Sequence, residues 1–477
     1  MTRTHHPRRL AATLLAGAAL LVLAACDSGQ YPNSIFTKNS EFNADVGSLF
    51  NRLFFWGTIV FVLVEALLLY VIIKFRRKPG QAEPKHVHGN TTLEVLWTAI
   101  PAVILVFIAV PTVRTIFRTQ AKARPDALQV EVIGHQWWWE FRYPEYNVST
   151  ANELYLPAGR TVNFSLKTAD VLHSFWIPAL AGKRDLIANH TNFLWFTPDS
   201  ALGAAAWNGH CAEYCGASHA NMKFRTYTVT AAEFDSWVKG QQAVAVFGAT
   251  PAPGQSASPA TPGDSAAAAA TRAQAGAQSA GPKADAGVAA LPPSSAARSQ
   301  STPTQSAQQP LAAGAARDTT AAGLAAVQGP SAATPAYTYP MDKLPRHIRP
   351  STPIPADIGR ISDAVLASGD AARGQKIYSS QSCIGCHYIN GNPMSAGKIG
   401  PNLTHVGSRN TIGAGLFPND ARNLAYWIKN TRKMKPGVVM PTLGLNEYDP
   451  VTKMQVKAGG LTDQQIADIV AYLLALK

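Results

Sequence analysis

Two long apolar stretches lie in the first quarter of the chain, at residues 53–73 and 95–117. Each reaches the roughly 20 apolar residues that a helix needs to cross a bilayer. The loop between them is rich in lysine and arginine, and such loops are typical of the cytoplasmic side of a membrane. The pattern predicts a transmembrane hairpin within residues 26–120, with the rest of the chain outside the cytoplasm. A pair of buried core helices is the alternative interpretation.

A shorter apolar run, residues 10–25, follows three N-terminal arginines. A basic start followed by a short apolar run is typical of a secretory signal, and the run is too short to be a convincing span. It ends in Leu-Ala-Ala-Cys26, which resembles the cleavage box of bacterial lipoproteins. We therefore expect residues 1–25 to be a lipoprotein-type signal peptide and Cys26 to be lipidated. The alternative is an ordinary signal peptide with an incidental cysteine.

Apolar and polar residues alternate in short runs across the middle of the chain. Residues 128–132, 162–166 and 224–229 follow this period of two, and turn-forming residues occur between them. Such runs predict strands joined by turns, arranged as an antiparallel sandwich or barrel. We therefore expect one all-β domain over residues 121–240.

The alternation disappears between residues 241 and 345, where Ala, Pro, Ser, Gly, Gln and Thr dominate. No aromatic residue occurs between Phe247 and Tyr337. Such a composition buries too little apolar surface to fold, so we expect a disordered linker that provides reach and a high local concentration. A glycosylated stalk is the weaker alternative. Helical patterns return after the linker and predict an all-α domain over residues 357–477.

Composition narrows the functional classes. The chain has 42 Lys and Arg against 29 Asp and Glu, a formal net charge of +13. No basic cluster is interleaved with aromatic residues, so we do not expect nucleic acid as a partner. Five cysteines are too few for a disulfide-dense scaffold. Four of them form two close pairs, which in a large chain favours metal or cofactor chemistry.

The first pair belongs to the motif Cys211-x3-Cys215-x3-His219-x2-Met222. Thiolates, imidazole and thioether form a soft ligand set that favours copper over magnesium or calcium. Both sulfurs are close enough to bridge a pair of metals, and a second histidine must then come from elsewhere. His173, which follows a strand in a turn-rich stretch, is the best candidate. A disulfide between the two cysteines, a mononuclear site and a copper chaperone are the alternatives.

The second pair forms the motif Cys383-x-x-Cys386-His387, the pattern of c-type haem attachment. The two thiols would bond the haem vinyl groups, and the histidine would ligate the iron from one side. A zinc half-site or a redox cysteine pair is the alternative. The stretch Lys-Pro-Gly-Val-Val-Met-Pro resembles the methionine loop of small cytochromes c, so we select Met440 as the sixth ligand, ahead of Met434.

Residues 40–240 resemble subunit II of the haem–copper cytochrome c oxidases. The features that carry the resemblance are the anchored hairpin, the segments 94–101 and 134–139, the isolated His173 and the copper motif, in this order. The resemblance implies a cupredoxin fold, which is a Greek-key β-sandwich, with a binuclear copper centre called CuA. The helical patterns of the C-terminal domain resemble the crossing terminal helices of cytochrome c.

The resemblance also implies roles for single residues. Cys211 and Cys215 would bridge the two coppers, and the remaining ligands would be His173, His219, Met222 and the Glu213 backbone carbonyl. The Glu213 side chain would help to hold a magnesium ion (Mg2+) at the interface with subunit I. Trp137 resembles the aromatic residue through which electrons arrive, although packing in a sheet is an alternative role for it. Glu94 resembles the carboxylate at the mouth of a proton channel.

The two domains that would hold the redox groups carry opposite charge. Residues 126–240 have 8 basic and 11 acidic side chains, a balance of −3, and residues 357–477 have 13 and 8, a balance of +5. We therefore hypothesise that the haem domain docks electrostatically near CuA. Two solvated surfaces with unrelated charge are the alternative.

We interpret the chain as a fusion of subunit II with cytochrome c. It would pass electrons from a donor, such as a cytochrome c or a cytochrome bc complex, through haem c and CuA to subunit I, where oxygen is reduced to water and protons are pumped. The implied partners are subunits I and III in a bacterial inner membrane, with both redox domains on the periplasmic side. A quinol oxidase subunit would lack the six copper ligands, and a membrane-anchored copper chaperone is the other alternative.

Overall fold

The computed structural model describes residues 17, 33–81, 83, 88–121, 123–245 and 336–477. The expected lipidation site Cys26, nearly all of the expected signal peptide and most of the expected linker lie outside these residues.

Two long helices form the N-terminal part of the described chain. Helix α1 covers Glu41–Lys74 and helix α2 covers Thr91–Gln120. Both are long and apolar enough to cross a membrane, and each contains one of the two predicted spans. Helix α1 begins before its apolar run because its first turn packs on the following domain. There the Asn43 side chain donates a hydrogen bond to the Pro178 carbonyl, and Phe42 joins the core.

The β-domain consists of two five-stranded sheets, ordered β3-β2-β1-β5-β8 and β4-β10-β9-β6-β7. The strands are β1 Leu128–His135, β2 Trp138–Tyr143, β3 Val148–Ala151, β4 Glu153–Pro157, β5 Val162–Thr168, β6 His173–Trp176, β7 Arg184–Leu186, β8 Asn192–Phe196, β9 Ala205–Cys211 and β10 Lys223–Val229. The alternating runs place every second side chain of β1 and β5 in the core between the sheets.

The sheets of this sandwich are mixed, in contrast to the antiparallel arrangement predicted from the alternation. Strand β5 runs parallel to β1, and β10 runs parallel to β4. The chain enters the second sheet at β4 before it returns at β5, so it arrives beside β1 in the same direction. Helix α3, Ala231–Gln242, closes the domain with a capping box and buries Phe234 and Trp237.

The C-terminal helical domain is built around two crossing helices, α5 (Ala371–Ser380) and α9 (Asp463–Ala475). They cross at Gly374, where a Cβ atom would overlap the backbone carbonyl of Asp468, so the helices can pack this closely only around a glycine. The shorter elements are α4 Asp363–Ala367, α6 Cys383–Cys386, α7 Ala421–Lys429, α8 Thr431–Met434, β11 Thr411–Ile412, β12 Phe417–Pro418, β13 Tyr448–Asp449 and β14 Met454–Gln455.

A segment between the two domains packs on the β-domain. We call residues 337–348 the strap. The ring of Tyr339 stacks on that of Tyr227 at 4.7 Å, and Leu344 and Ile348 join the core of the β-domain. The packed chain therefore starts before residue 345, where the composition had placed the end of the linker. The fold class is confirmed: two apolar helices, a cupredoxin-like sandwich and a helical C-terminal domain.

Candidate metal and haem sites

The side chains of the predicted copper motif converge at one end of the β-domain. The Cys211 Sγ lies 3.7 Å from the Cys215 Sγ, 3.8 Å from the His173 Nδ1 and 3.2 Å from the Glu213 backbone oxygen. The Cys215 Sγ lies 3.6 Å from the His219 Nδ1 and 3.8 Å from the Met222 Sδ. The structure thus brings together all six predicted ligand groups, and Cys211 and Cys215 are free thiols in it.

Two neighbouring strands and one loop position these ligands. His173 is the first residue of β6 and Cys211 the last residue of β9, and these strands are paired antiparallel. The Cys211 N–H donates to the Met222 carbonyl at 3.0 Å and closes the loop that carries the remaining ligands. Gly216 within this loop has a φ of +108°, a conformation that favours glycine.

Neighbouring side chains orient the ligands. The His173 Nε2 lies 2.8 Å from the Asp170 carboxylate, which leaves the Nδ1 facing the sulfurs. Burial opposes ionisation of both groups, but the hydrogen bond between them lowers the pKa of Asp170 and raises that of His173. Asp170 also accepts a 2.6 Å hydrogen bond from the Gln136 backbone N–H. Such an orienting shell is typical of a metal site.

The donor set fits copper. The ligand atoms of His173, Cys211 and Cys215 lie within 4.8 Å of one another, and all three residues are buried. The hydrogen bond between the two sulfurs lowers the pKa of Cys211 and raises that of Cys215. Cys211 is therefore the sulfur that favours the thiolate form, which is the form that ligates a metal. Soft sulfur and imidazole donors with one neutral thioether match the preference of copper.

An apolar cavity lies beside the Cys383–His387 motif in the helical domain, and we call it the CxxCH cavity. Cys383, Cys386 and His387 line it together with apolar side chains of α7 and α9. The His387 Nδ1 lies 2.8 Å from the Pro401 carbonyl, which leaves its Nε2 available as a ligand. A Cβ atom on Gly400 would come within 2.5 Å of the imidazole, so a glycine is needed beside this ring. The two thiols, the oriented imidazole and the apolar walls fit a covalently attached haem.

The two candidate methionines occupy different positions. Met440 lines the CxxCH cavity, whereas Met434 is buried in the core of the helical domain and does not contribute to the described lining. The geometry thus supports the predicted order of preference.

The CxxCH cavity is not lined by the helical domain alone. Gln136, Trp137 and Trp138 of the β-domain form part of its wall. Trp137, only 9% exposed, donates a 2.9 Å hydrogen bond from its indole Nε1 to the Cys215 carbonyl. One side chain thus reaches from the cavity to the backbone of a copper-motif cysteine.

The methionine loop of the helical domain lies directly on this tryptophan. The Lys435 Nζ donates to the Trp137 carbonyl at 2.6 Å, and the Ser218 hydroxyl donates to the Pro436 carbonyl. Gly437, with a φ of +89°, packs so closely that a Cβ atom would come within 2.8 Å of the Trp137 ring. The loop that carries Met440 therefore touches the loop that carries His219.

This contact differs from the electrostatic docking that we hypothesised from the opposite domain charges. Among the described residues, no ion pair within 4.0 Å joins the β-domain to the helical domain. The domains meet through packing and buried hydrogen bonds, and the buried Glu153 carboxyl of the β-domain faces the opposite charge of Arg409.

The structure treats the two remaining predicted residues, Glu213 and Glu94, differently. The Glu213 side chain accepts a hydrogen bond from the Tyr214 N–H at 3.3 Å and is only partly buried. Glu94 lies exposed in the first turn of α2, far along the chain from the copper motif. Four further residues of these sites could not be predicted from sequence, because their roles depend on contacts between distant segments: Gln136, Asp170, Ser218 and Lys435. Only the position of Lys435, at the start of the methionine loop, gave a local signal.

Comparison with known families follows the same division of the chain. The family described as cytochrome C oxidase subunit II, transmembrane domain, matches residues 36–115. The periplasmic domain of cytochrome C oxidase subunit II matches residues 147–229, and cytochrome c matches residues 371–477. The matches fall on the hairpin, the β-domain and the helical domain, in that order.

Curated relatives and a solved structure extend the similarity. Cytochrome c oxidase subunit 2 of Alkalihalophilus pseudofirmus is 28% identical over 426 residues, covering 88% of this chain and 83% of that protein. Probable cytochrome c oxidase subunit 2 of Rickettsia bellii is 31% identical over 217 residues, covering 41% of this chain and 79% of that protein. The periplasmic domain of subunit II of cytochrome oxidase from Bradyrhizobium japonicum is 27% identical and covers 25% of this chain and 97% of that one, with a TM-score of 0.24.

Proposed function

The chain belongs to the cytochrome c oxidase subunit II family and ends in a cytochrome c domain, and from this we propose that it delivers electrons to a haem–copper terminal oxidase. Electrons from an external donor would reach haem c in the helical domain, then CuA in the β-domain, then subunit I. There oxygen would be reduced to water with proton pumping. The chain would act as an oxidoreductase only within this complex.

One observation carries the proposal. The Trp137 ring lines the CxxCH cavity, and its Nε1 is hydrogen-bonded to the Cys215 carbonyl. When bound, the haem iron and the copper pair would each take up and release single electrons. A side chain that connects the two sites gives such an electron a continuous, water-poor path.

The residues of each site divide into holding and orienting groups. Cys383 and Cys386 would hold the haem covalently, with His387 and Met440 on its iron. The copper pair would be held by the six groups of the copper motif: Cys211, Cys215, His173, His219, Met222 and the Glu213 carbonyl. Asp170 holds the His173 ring in place, and mostly apolar side chains line the CxxCH cavity, where they would shield a bound haem from water.

The remaining assignments concern the assembly. We propose that the hairpin crosses the bacterial inner membrane twice, that Cys26 is lipidated, and that both redox domains face the periplasm. The partly buried Glu213 side chain would bind Mg2+ against subunit I, and Glu94 would lie at a proton channel on the cytoplasmic side. Subunits I and III would be the partners within the membrane, and a cytochrome c or a cytochrome bc complex the donor.

The test uses the full chain, expressed with haem attachment and copper supplied. We would measure copper and covalent haem per chain and record the electron paramagnetic resonance spectrum. Two coppers that share one unpaired electron, together with one haem, would support the proposal. A single copper, or none with Cys211 and Cys215 joined in a disulfide, would contradict it and favour the membrane-anchored copper chaperone.

A further inference from the structure

Glu153 is a buried carboxylate at the contact between the β-domain and the helical domain. It is the first residue of β4 and only 2% exposed. Its Oε1 accepts three hydrogen bonds from the helical domain: the Asn410 N–H at 2.8 Å, the Thr411 N–H at 2.8 Å and the Thr411 hydroxyl at 3.0 Å. Since Thr411 and the neighbouring Arg409 line the CxxCH cavity, Glu153 holds one wall of that cavity from the other domain.

Arg225 makes a second buried contact across the same interface. It lies in β10 and is 4% exposed. Its Nη2 donates to the Gly415 carbonyl of the helical domain at 2.9 Å, and its Nε donates to the Ile348 carbonyl at 3.1 Å. Arg225 therefore joins three parts of the chain: the β-domain, the end of the strap and the helical domain.

The strap shortens the connection between the domains. Residues 337–348 are packed on the β-domain, with the Tyr339 N–H donating to the Tyr155 hydroxyl at 3.2 Å. Asn410 of the helical domain in turn donates to the Tyr339 carbonyl at 3.0 Å and to the Tyr227 hydroxyl at 3.3 Å. The helical domain is thus held through residues that follow the long linker.

We propose that Glu153, Arg225 and the strap are positioning elements that hold the helical domain permanently over Trp137. The separation between the CxxCH cavity and the copper motif is then fixed by buried hydrogen bonds, and no docking step precedes transfer between the two sites. The absence of a docking step rests on the proposed function, whereas the permanent attachment does not.

Fixed attachment of the helical domain differs energetically from tethering by a linker. A buried acceptor or donor that loses its partner carries the full cost of desolvation, so separation of the domains has to be accompanied by rehydration of all these groups. A linker alone raises the local concentration but fixes no distance. Charge attraction across solvent would weaken with salt, whereas buried hydrogen bonds do so far less.

The test cuts the linker and asks whether the domains separate. A recognition sequence for a site-specific protease is inserted within residues 256–334 of the full chain in detergent. After cleavage, the wild-type C-terminal fragment is expected to co-elute with the membrane fragment in size-exclusion chromatography, at low and at high salt. Separation of the wild-type fragments would overturn the proposal, irrespective of any variant and of any copper or haem activity.

Substitutions test whether Glu153, Arg225 and Thr411 hold the helical domain on the β-domain. Glu153→Ala leaves three donors unpaired, and Arg225→Met leaves two carbonyls unpaired, so each is expected to raise the dissociation constant of the cleaved fragments by about tenfold or more. Glu145→Ala and Arg142→Met, at exposed positions of the same domain, are the matched controls. Thr411→Val, which removes one hydrogen bond from the helical side, gives an independent variant should a β-domain variant fold poorly. Unchanged dissociation in Glu153→Ala, Arg225→Met and Thr411→Val would overturn the assignment.

A second readout tests the absence of a docking step. In the uncleaved, fully loaded chain, the rate of electron transfer from haem to copper after a laser pulse is expected to be independent of salt and of solvent viscosity. In Glu153→Ala it should become dependent on viscosity while the copper and haem spectra stay unchanged. A viscosity-dependent rate in the wild type would contradict this part, even if the fragments co-elute.

Discussion

The Trp137 indole nitrogen donates a hydrogen bond to the Cys215 carbonyl, 2.9 Å away, while the same ring lines the CxxCH cavity. The Cys215 carbonyl accepts a second hydrogen bond from the Gln136 side chain at 2.8 Å. Two adjacent residues thus fix the backbone of a copper-motif cysteine and also close a cavity of another domain. The geometry of one site is thereby linked to the wall of the other.

Substitution of this tryptophan tests the link. Trp137→Phe keeps an aromatic ring but removes the hydrogen bond to Cys215. We expect haem-to-copper electron transfer to slow several-fold, as measured by laser-induced reduction, while the amounts of copper and covalent haem per chain stay unchanged. Trp195→Phe, on strand β8, is the control. An unchanged rate in Trp137→Phe would argue against a path through the indole.

Asp170 is expected to control copper affinity through His173. Asp170→Asn removes the negative charge that orients the imidazole, and loss of such a partner weakens metal binding by about 10–100-fold. Competition with a copper chelator would measure the change, with Asp185→Asn of strand β7 as the control. Equal copper affinity in both variants would mean that the loop alone orients His173.

The two methionines should give opposite results on substitution. Met440→Ala removes the proposed iron ligand and is expected to lower the haem reduction potential with little loss of stability. Met434→Ala removes a buried core side chain and is expected to cost about 2–5 kcal/mol of unfolding free energy while the haem spectrum is retained. Redox titration and thermal unfolding of both variants measure this. The reverse pattern would reassign the ligand to Met434.

The attachment of the helical domain should depend on pH through Glu153. Burial raises the pKa of this carboxyl from the ordinary value of 4.5 to about 7, although the positive charge of Arg409 acts to lower it. The other titratable groups that interact with it are Arg225, Tyr155 and Tyr227. A group whose pKa is raised in the attached state stabilises attachment fully at a pH below its ordinary pKa. This stabilising free energy is lost as the pH rises through the raised pKa. The cleaved fragments should therefore dissociate more readily at a pH of about 7.5 than at about 5.

The Gln variant isolates that titration. In Glu153→Gln the amide oxygen can accept the same three hydrogen bonds without a proton to lose, so the dissociation constant should stay flat over this pH range. Fluorescence anisotropy of a labelled C-terminal fragment would measure it. Equal pH dependence in wild type and Glu153→Gln would assign the effect to another group.

The helix crossing at Gly374 gives a prediction for stability. In Gly374→Ala the new methyl group would meet the Asp468 backbone carbonyl, so the helices have to move apart. We expect a loss of about 1–3 kcal/mol from the helical domain, measured by chemical unfolding of the full chain. Gly385→Ala, where a Cβ atom meets nothing within 4 Å, is the control. Equal stability of the two variants would indicate a looser crossing.

The sites could be predicted from sequence because their chemistry imposes local spacing. Cys211, Cys215, His219 and Met222 lie within one loop, and Cys383, Cys386 and His387 within one turn. His173 was found only as the histidine that the motif lacked. Strands β1 and β5 could be predicted from the alternation of apolar and polar residues, because every second side chain enters the core.

The contact between the domains could not be predicted in this way. Arg225 occupies a polar position in the alternating run of β10, a position that normally faces solvent. It is buried because the strap and the helical domain cover that face of the sheet. The hydrogen bonds of Glu153 likewise come from partners more than 250 residues away along the chain. The opposite net charges of the two domains suggested an electrostatic contact. Net charge carries no information about hydrogen bonds between a side chain and the backbone, so these contacts could not be predicted from it.

The strap also has a consequence for the order of biosynthesis. Tyr339, Leu344 and Ile348 belong to the core of the β-domain, yet they are synthesised about a hundred residues after its last helix, α3. Because a chain is made from its N-terminus, this core stays incomplete while the intervening residues are still being translated. A product cut short before Tyr337 would leave the ring of Tyr227 uncovered and the Tyr155 hydroxyl without its strap partner, and such an incomplete domain would be prone to degradation.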